Sequence, residues 1–402
     1  MLRKIRIIAA AVCFTLITLL FLDFTGTIHA WFGWLAKIQF LPAVLALNVG
    51  VIVLLVALTL IFGRAYCSVI CPLGVMQDVI SWFAGRRKKN RFSYSPAKNW
   101  LRYAVLAIFV ATLVAGFGAV ALLVAPYSAF GRIAQNLFAP IWKWGNNLLA
   151  FIAERVDSYA FYSTDIVIGS WATFAIAAVT LIVVGILAWR NGRTYCNTIC
   201  PVGTVLGVLS RFSLFKPVID TEKCINCKLC ARKCKAACID TKNHEIDYSR
   251  CVVCMDCLES CSKGAIKYTI RKSSSKPAPA DASRRNFLVG AGLLAASAAK
   301  AQEMKLDGGY ATIIDKEKPF KNRALTPPGS LSARNMAAHC TGCQLCVAVC
   351  PTQVLRPSAD LTTFMQPEMS YEKGYCRPEC NKCSQVCPTG AINPITVEEK
   401  SS

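Results

Sequence analysis

The sequence predicts a membrane α-helical domain of four main transmembrane helices with an internal duplication, followed by two small α+β domains built around clustered cysteines. Three observations carry this expectation: long apolar runs, a string of residues that occurs twice, and cysteines that recur at short regular intervals. The chain has 402 residues, 54% of them hydrophobic and 17% charged, with a mean hydropathy of +0.42. That is too apolar for a soluble chain and too long for one small domain. The 22 cysteines are grouped, unlike the scattered cysteines of a secreted disulfide scaffold, and grouping points to metal–sulfur ligation.

Four apolar runs reach or approach the length needed to cross a bilayer: Ile5 to Leu22, Leu41 to Phe62, Tyr103 to Ala125 and Ile166 to Trp189. Arg3, Lys4 and Arg6 precede the first run, and Arg64, Arg86, Arg87, Lys88, Lys89, Arg91, Lys98 and Arg102 fill the second connection. Cytoplasmic loops carry the excess of Lys and Arg, so the N-terminus and that connection are expected inside. Asp23 to Phe40 and Pro126 to Asp165 then face the other side, where Trp31, Trp34, Trp142 and Trp144 suit interfacial anchoring.

The duplication is explicit. Gly63-Arg64-Ala65-Tyr66-Cys67-Ser68-Val69-Ile70-Cys71-Pro72-Leu73-Gly74 recurs as Gly192-Arg193-Thr194-Tyr195-Cys196-Asn197-Thr198-Ile199-Cys200-Pro201-Val202-Gly203. Each copy follows the second span of its pair and leads into an apolar stretch, Val75 to Phe83 or Val205 to Phe212, suited to a helix lying in the interface. Pro72 and Pro201 fit the first helical turn. Cys67, Cys71, Cys196 and Cys200 leave three readings open: an additional metal or cluster site, a redox disulfide, or buried thiols at a helix start. If the halves are related by pseudo-symmetry, the four thiols meet near a shared axis. Cys13, in the first span, reads as lipid-facing or packed. Asp23 and His29, just beyond that span, suit either the handling of quinol protons or an ordinary solvated loop pair.

After Lys216 the chain turns polar, and Cys224-x2-Cys227-x2-Cys230-x3-Cys234 is followed by Cys251-x2-Cys254-x2-Cys257-x3-Cys261, the tandem spacing of a bacterial two-cluster ferredoxin. Three closely spaced thiolates hold three corners of a 4Fe-4S cubane, and the fourth cysteine of each run reaches across to the other cluster. Cys224, Cys227, Cys230 and Cys261 are therefore expected on one cluster, with Cys251, Cys254, Cys257 and Cys234 on its partner. Zinc knuckles or disulfides are the alternative that this register disfavours. The proline usual after the fourth cysteine is replaced by Lys235 and Ser262, and Cys238 is left over as a bystander.

The C-terminal region repeats the logic with both prolines present. Cys340, Cys343, Cys346 and Cys387 form one expected set, and Cys376, Cys380, Cys383 and Cys350 the other, with one gap widened around Arg377-Pro378-Glu379. Pro388 to Ile392 reads as a turn into a short strand, echoed by Gly264-Ala265-Ile266. Four clusters subtract roughly two charges each from a formal net charge of +22. The remaining Lys and Arg lie beside apolar spans, so no nucleic-acid partner is expected. No haem is expected either: there is no Cys-x-x-Cys-His, and His29, His244 and His339 all lie outside the spans.

Between the two cysteine regions, Arg271 to Ser283 has the composition of a flexible linker. Ser283-Arg284-Arg285-Asn286-Phe287-Leu288, a mild apolar run and Ala299-Lys300-Ala301 then look like a twin-arginine export signal at an unusual internal position. Clusters are inserted in the cytoplasm, so a domain that carries them must cross already folded, which that route permits. A short amphipathic linker helix, leaving both domains inside, is the competing reading.

On these motifs, residues 1 to about 270 resemble the membrane ferredoxin subunit of NapH-type quinol dehydrogenases, a group related to the NosR and CcoG proteins. Residues 283 to 402 resemble a shortened, exported NapG-type ferredoxin. The resemblance implies an inner-membrane electron carrier with quinone or quinol, lipid and other redox proteins, such as a periplasmic cytochrome or reductase, as partners. The expected domains are 1–216 in the membrane, 217–270 in the cytoplasm, a linker with the signal at 271–301, and 302–402 in the periplasm. The chain departs from the pattern in having only two cluster motifs in its exported part and no flavin domain of the NosR kind before the first span, so no terminal acceptor is implied. The competing function is a membrane assembly or redox-sensing factor of the CcoG type, without turnover of its own. A cluster-stabilised docking scaffold is a third.

Overall fold

The computed structural model describes residues 1–85, 92–115, 122–157, 161–166, 169–270, 325–360, 363–372 and 374–401. The linker and the twin-arginine string, with Arg284 and Arg285, lie outside the described residues.

Two helices, Leu2–Leu22 and Trp171–Asn191, are long and apolar enough to cross a membrane. At 1.5 Å per residue each is about 31 Å long. The other two expected spans are shorter among the described residues: 14 residues at Val49–Phe62 and 16 at Asn99–Val114. The run expected from Leu41 to Phe62 is broken because Leu47 turns left-handed, with φ 50°, and Asn48 begins a new helix by accepting from the Val51 amide at 3.3 Å. The run from Tyr103 to Ala125 loses its end to residues 116–121, which are not described. The run from Ile166 starts late because Ser170 is extended, and the helix begins at Trp171.

The second half also contains a short buried helix. Every residue of Pro126–Ile133 is buried, and the Phe130 and Tyr127 rings pack on Phe21 with centroids 6.1 and 5.6 Å away. Gly63 and Gly192 adopt φ of 76° and 70° and end the long helices before each duplicated motif. Pro72–Gly85 and Pro201–Ser210 then start on their prolines, as expected. Both helices are buried over most of their length. Pro72 through Asp78 are all buried, and the helix packs against Leu2–Leu22, Pro126–Ile133 and Trp171–Asn191.

The first cysteine region forms two two-stranded antiparallel sheets, Phe215–Ile219 with Ile266–Ile270 and Ile239–Asp240 with Glu245–Ile246. Its first strand thus begins two residues before the expected boundary at 217, because Phe215 pairs with Ile270. The second region pairs Leu355–Pro357 with Pro367–Met369. The strand expected from Pro388 to Ile392 is absent among the described residues, where one backbone bond, Asn393 N–H to the Gly329 carbonyl at 3.0 Å, holds the segment.

The two cysteine regions meet opposite ends of Leu2–Leu22. At its start Arg3 donates to Asp256 Oδ1 of the first region at 2.7 Å and also pairs with Glu259. Beyond its end Lys382 Nζ of the second region donates to the Thr25 carbonyl at 3.2 Å. Asn136 Nδ2 donates to Gln344 Oε1 at 2.8 Å, Gln353 Nε2 to the Asp165 carbonyl at 3.0 Å, and Leu345 and Cys343 join the hydrophobic core that holds Phe21 and Phe130.

Candidate metal centres

The cysteine loops share one local device. Lys228, Met255 and Gln344, each following the second cysteine of its run, take left-handed φ of 61°, 64° and 64°. The turn launches the short helices Leu229–Lys233, Asp256–Ser260 and Leu345–Ala348, which carry the third cysteines Cys230, Cys257 and Cys346. The fourth run departs from this. Asn381 has φ −120°, in the run whose first gap is one residue wider.

The expected sets lie together. One cavity is lined by Cys224, Cys227, Cys230 and Cys261, a second by Cys234, Cys251, Cys254 and Cys257, and a third by Cys350, Cys376, Cys380 and Cys383. For the remaining set, burial pushes the Cys343 thiol up to about 11, and the Cys387 thiol beside it adds to the shift. Cys387 acts in the same sense on Cys340 and Cys346. Among the described residues no three His, Cys, Asp or Glu side chains close around a single ion. A cubane, whose ligand sulfurs sit on separate iron corners, holds its thiolates farther apart than one ion does, so these cavities fit a cluster. Cys238, expected to be a bystander, is fully buried with its Sγ 3.5 Å from Cys234 Sγ.

Cys67, Cys71, Cys196 and Cys200 are all buried, and the two copies of the motif clasp each other reciprocally. Arg64 Nη2 donates to the Cys196 carbonyl at 3.1 Å, and Arg193 Nη1 donates to the Cys67 carbonyl at 2.6 Å. Gly203 and Gly74 face these two arginines. A Cβ on Gly203 would lie 2.2 Å from the Cys196 carbonyl oxygen, and one on Gly74 would lie 2.4 Å from that of Cys67. Gln77 Nε2 donates to Cys196 Sγ at 3.2 Å, and the Gly203 amide to Cys200 Sγ at 3.3 Å. Burial pushes the Cys71, Cys196 and Cys200 thiols up, and neighbouring thiols of the same four add to each shift.

The counter-charges are not symmetric. Asp78 receives Arg193 through both oxygens, at 2.9 and 2.7 Å, and also Arg6 at 2.9 Å. Burial alone would raise its carboxyl, but Arg193, Lys235 and Arg6 hold it well below the usual range. The second copy carries Gly207 at the equivalent place. Arg64, counted from sequence among the cytoplasmic positive residues, is fully buried, and so is Arg102. The available signal for Asp78 was a lone carboxylate inside the apolar stretch Val75 to Phe83.

Asp23 and His29 form a buried pair, rather than a solvated one, with Nδ1 3.4 Å from Oδ2 and Nε2 without a hydrogen-bond partner among the described residues. Burial would raise the Asp23 carboxyl, but His29, Thr25 and the Gly26 amide hold it low. Cys13 is half-buried.

Cavities lined by cysteines in this register define an iron–sulfur protein of the ferredoxin type. Comparisons with known proteins agree. The family described as 4Fe-4S binding domain matches residues 44–91 and 171–219, one over each copy of the duplicated motif. 4Fe-4S dicluster domains match residues 339–391 and 247–354. An uncharacterized protein of Methanocaldococcus jannaschii is 33% identical over 103 residues, 26% of this chain and 41% of its own length. YccM of Escherichia coli is 26% identical over 59% of each chain. The ferredoxin-type protein NapH of Escherichia coli is 26% identical over 58% of this chain and 71% of its own. The match spans about half the length of the first two of these relatives. No solved structure matches. The chain resembles NapH-type membrane ferredoxins, and relatives of this kind include ferredoxin-type electron transport proteins.

Proposed function

We propose that this chain is a multi-pass inner-membrane electron carrier that links the quinone pool to a periplasmic redox chain. In this reading the sixteen ferredoxin-type cysteines hold four 4Fe-4S clusters in the crossed sets, two in the cytoplasm and two in the periplasm. The supporting observation is that the two cysteine regions dock at opposite ends of Leu2–Leu22, a helix of spanning length. The twin-arginine string then exports the second region, a NapG-like ferredoxin joined to its partner in one chain. Bound clusters supply reversible one-electron storage.

The chain's own residues hold and shield those sites. Arg3 with Asp256 and Asp78 with Lys235 fasten the first region to the helices, while Asn136 and Gln344 fasten the second. The buried Asp23–His29 pair, with Nε2 free, suits the receipt of a quinol proton on the outer side. Membrane vesicles given a quinol should reduce the clusters, read by loss of their visible absorbance. Clusters that respond to dithionite but never to quinol would overturn the quinone link and favour an assembly or sensing role.

A further inference from the structure

Five arginines are buried among the described residues: Arg64, Arg102, Arg132, Arg193 and Arg250. Arg193 is neutralised by Asp78 and Arg250 by Asp247. Arg64, Arg102 and Arg132 have no ion pair among the described residues, and the Nε of each is buried without a partner. A guanidinium cannot escape burial by losing its proton, so an unpaired one needs an anion. All three lie against cysteine loops. Arg102 holds the Ser249 carbonyl, two residues before Cys251, and the helix of Arg132 packs at Gly131 on the Cys343 carbonyl. Arg64 is the most telling. Its Nη2 lies 3.8 Å from Cys67 Sγ, and its Nη1 donates to Asn197 Oδ1 at 2.8 Å and to the Ser249 carbonyl at 3.2 Å.

We propose that Cys67, Cys71, Cys196 and Cys200 ligate a fifth iron–sulfur cluster inside the helical domain, with Arg64 as its counter-charge. Four thiolates on an iron–sulfur core leave a net negative charge, which supplies the counter-charge that Arg64 has from no ion pair among the described residues. A disulfide at the same place is neutral and would leave the guanidinium buried and uncompensated. The inference rests on the electron-carrier reading and completes it, because the site has protein contact to both cysteine regions. On one side Arg64 bridges Cys67 to Ser249. On the other, Tyr195 donates to the Val124 carbonyl at 2.7 Å, Arg132 holds the carbonyls of Leu122 and Leu123, and a Cβ on Gly342, the residue before Cys343, would lie 3.3 Å from Leu122. Held by these four cysteines, such a centre would exchange one electron with a 4Fe-4S cluster of either cysteine region, each transfer changing one iron oxidation state with no bond made or broken.

The test compares the full-length protein, purified anaerobically, with a variant in which all four cysteines are serine. The variant is expected to lose roughly two to four irons per chain and one set of Mössbauer and electron paramagnetic resonance signals, while the sixteen other cysteines keep theirs. Equal iron and identical spectra in the two proteins would overturn the fifth cluster and leave the electron-carrier reading standing. Should the quadruple variant fail to accumulate, Arg64→Gln decides. Removing the positive charge is expected to make reduction of one cluster at least tenfold less favourable, about 59 mV for one electron, with Arg64→Lys restoring most of it. A titration unchanged at every cluster would overturn the proposal. Failure of quinol to reduce any cluster in the unmodified protein counts against the quinone link alone.

Discussion

Asp78 and Arg193 form a two-point ion pair, Oδ1 to Nε at 2.9 Å and Oδ2 to Nη2 at 2.7 Å, that joins the two copies of the duplicated motif. Arg6 shares the same carboxylate from Leu2–Leu22, and Lys235, 3.7 Å away, shares it from the first cysteine region. One acid thus ties together three segments that are far apart in sequence. Asp78→Asn keeps the shape but leaves Arg6 and Arg193 without an ion pair among the described residues, while Lys235 keeps Asp256. Breaking a buried pair from one side costs about 3–5 kcal/mol. The variant should therefore lose stability by that order in detergent, measured by the thermal transition of near-ultraviolet circular dichroism. A variant as stable as the parent would mean that Asp78 is neutral in the folded chain.

Gly203 and Gly74 occupy the closest approaches in the duplicated site. An alanine at either position must displace a cysteine carbonyl and the guanidinium that binds it, Arg64 2.8 Å from the added carbon at 203 and Arg193 2.7 Å at 74. Overpacking of this kind costs about 1–3 kcal/mol. Gly203→Ala should lower the midpoint of unfolding and disturb the environment of Cys196, seen as faster alkylation of the buried thiols. Gly145→Ala, with open space around it, serves as the control and should change neither.

The cysteine sets were legible because a cubane fixes ligand spacing locally, so Cys224 to Cys261 and Cys340 to Cys387 state their chemistry in order. The meeting of Cys67, Cys71, Cys196 and Cys200 was legible for a different reason: a repeated string implies a repeated backbone. Arg64 was not. A charged residue beside an apolar run looks like an inner-face marker, and only the packing of Ser249 and Cys196 around it reveals that it is buried. The break at Asn48 escaped as well, since hydropathy sums over Leu41 to Phe62 and is blind to one left-handed residue and one capping side chain.

Cys238 occupies the place that Ala265, Val354 and Ala391 hold in the other three runs, four residues after the last cysteine. Its thiol lies 3.5 Å from Cys234 Sγ and within hydrogen-bonding reach of Cys251. If Cys234 and Cys251 hold a cluster as proposed, an S–H donor beside them would stabilise its reduced, more negative state. Cys238→Ala should therefore keep the full iron content and shift the potential of that one cluster to more negative values in a redox titration followed by electron paramagnetic resonance. Loss of about four irons instead would make Cys238 a ligand.

The placement of the second cysteine region gives the strongest constraint on topology. Its contacts run to Thr25, Asn136 and Asp165, in the connections that follow the first and third apolar runs, whereas the first cysteine region binds Arg3 and Asp78 at the opposite end of Leu2–Leu22. The region is docked there by hydrogen bonds and by Leu345 and Cys343 in the shared core, a surface that is periplasmic in the proposed topology. In the proposed topology export precedes docking. Protease applied to intact spheroplasts should therefore reach the C-terminal region and leave Cys224 to Cys261 protected. Arg284→Lys with Arg285→Lys should strand that region inside, where it keeps its clusters but resists the same protease. Asn136→Leu removes the donor to Gln344 and should leave export intact while raising the rate of cleavage, because the docked state is weakened by about 1–3 kcal/mol when a buried polar partner is lost. If the C-terminal region of the unmodified protein stays protected in spheroplasts and becomes cleavable only after lysis, the periplasmic assignment is wrong.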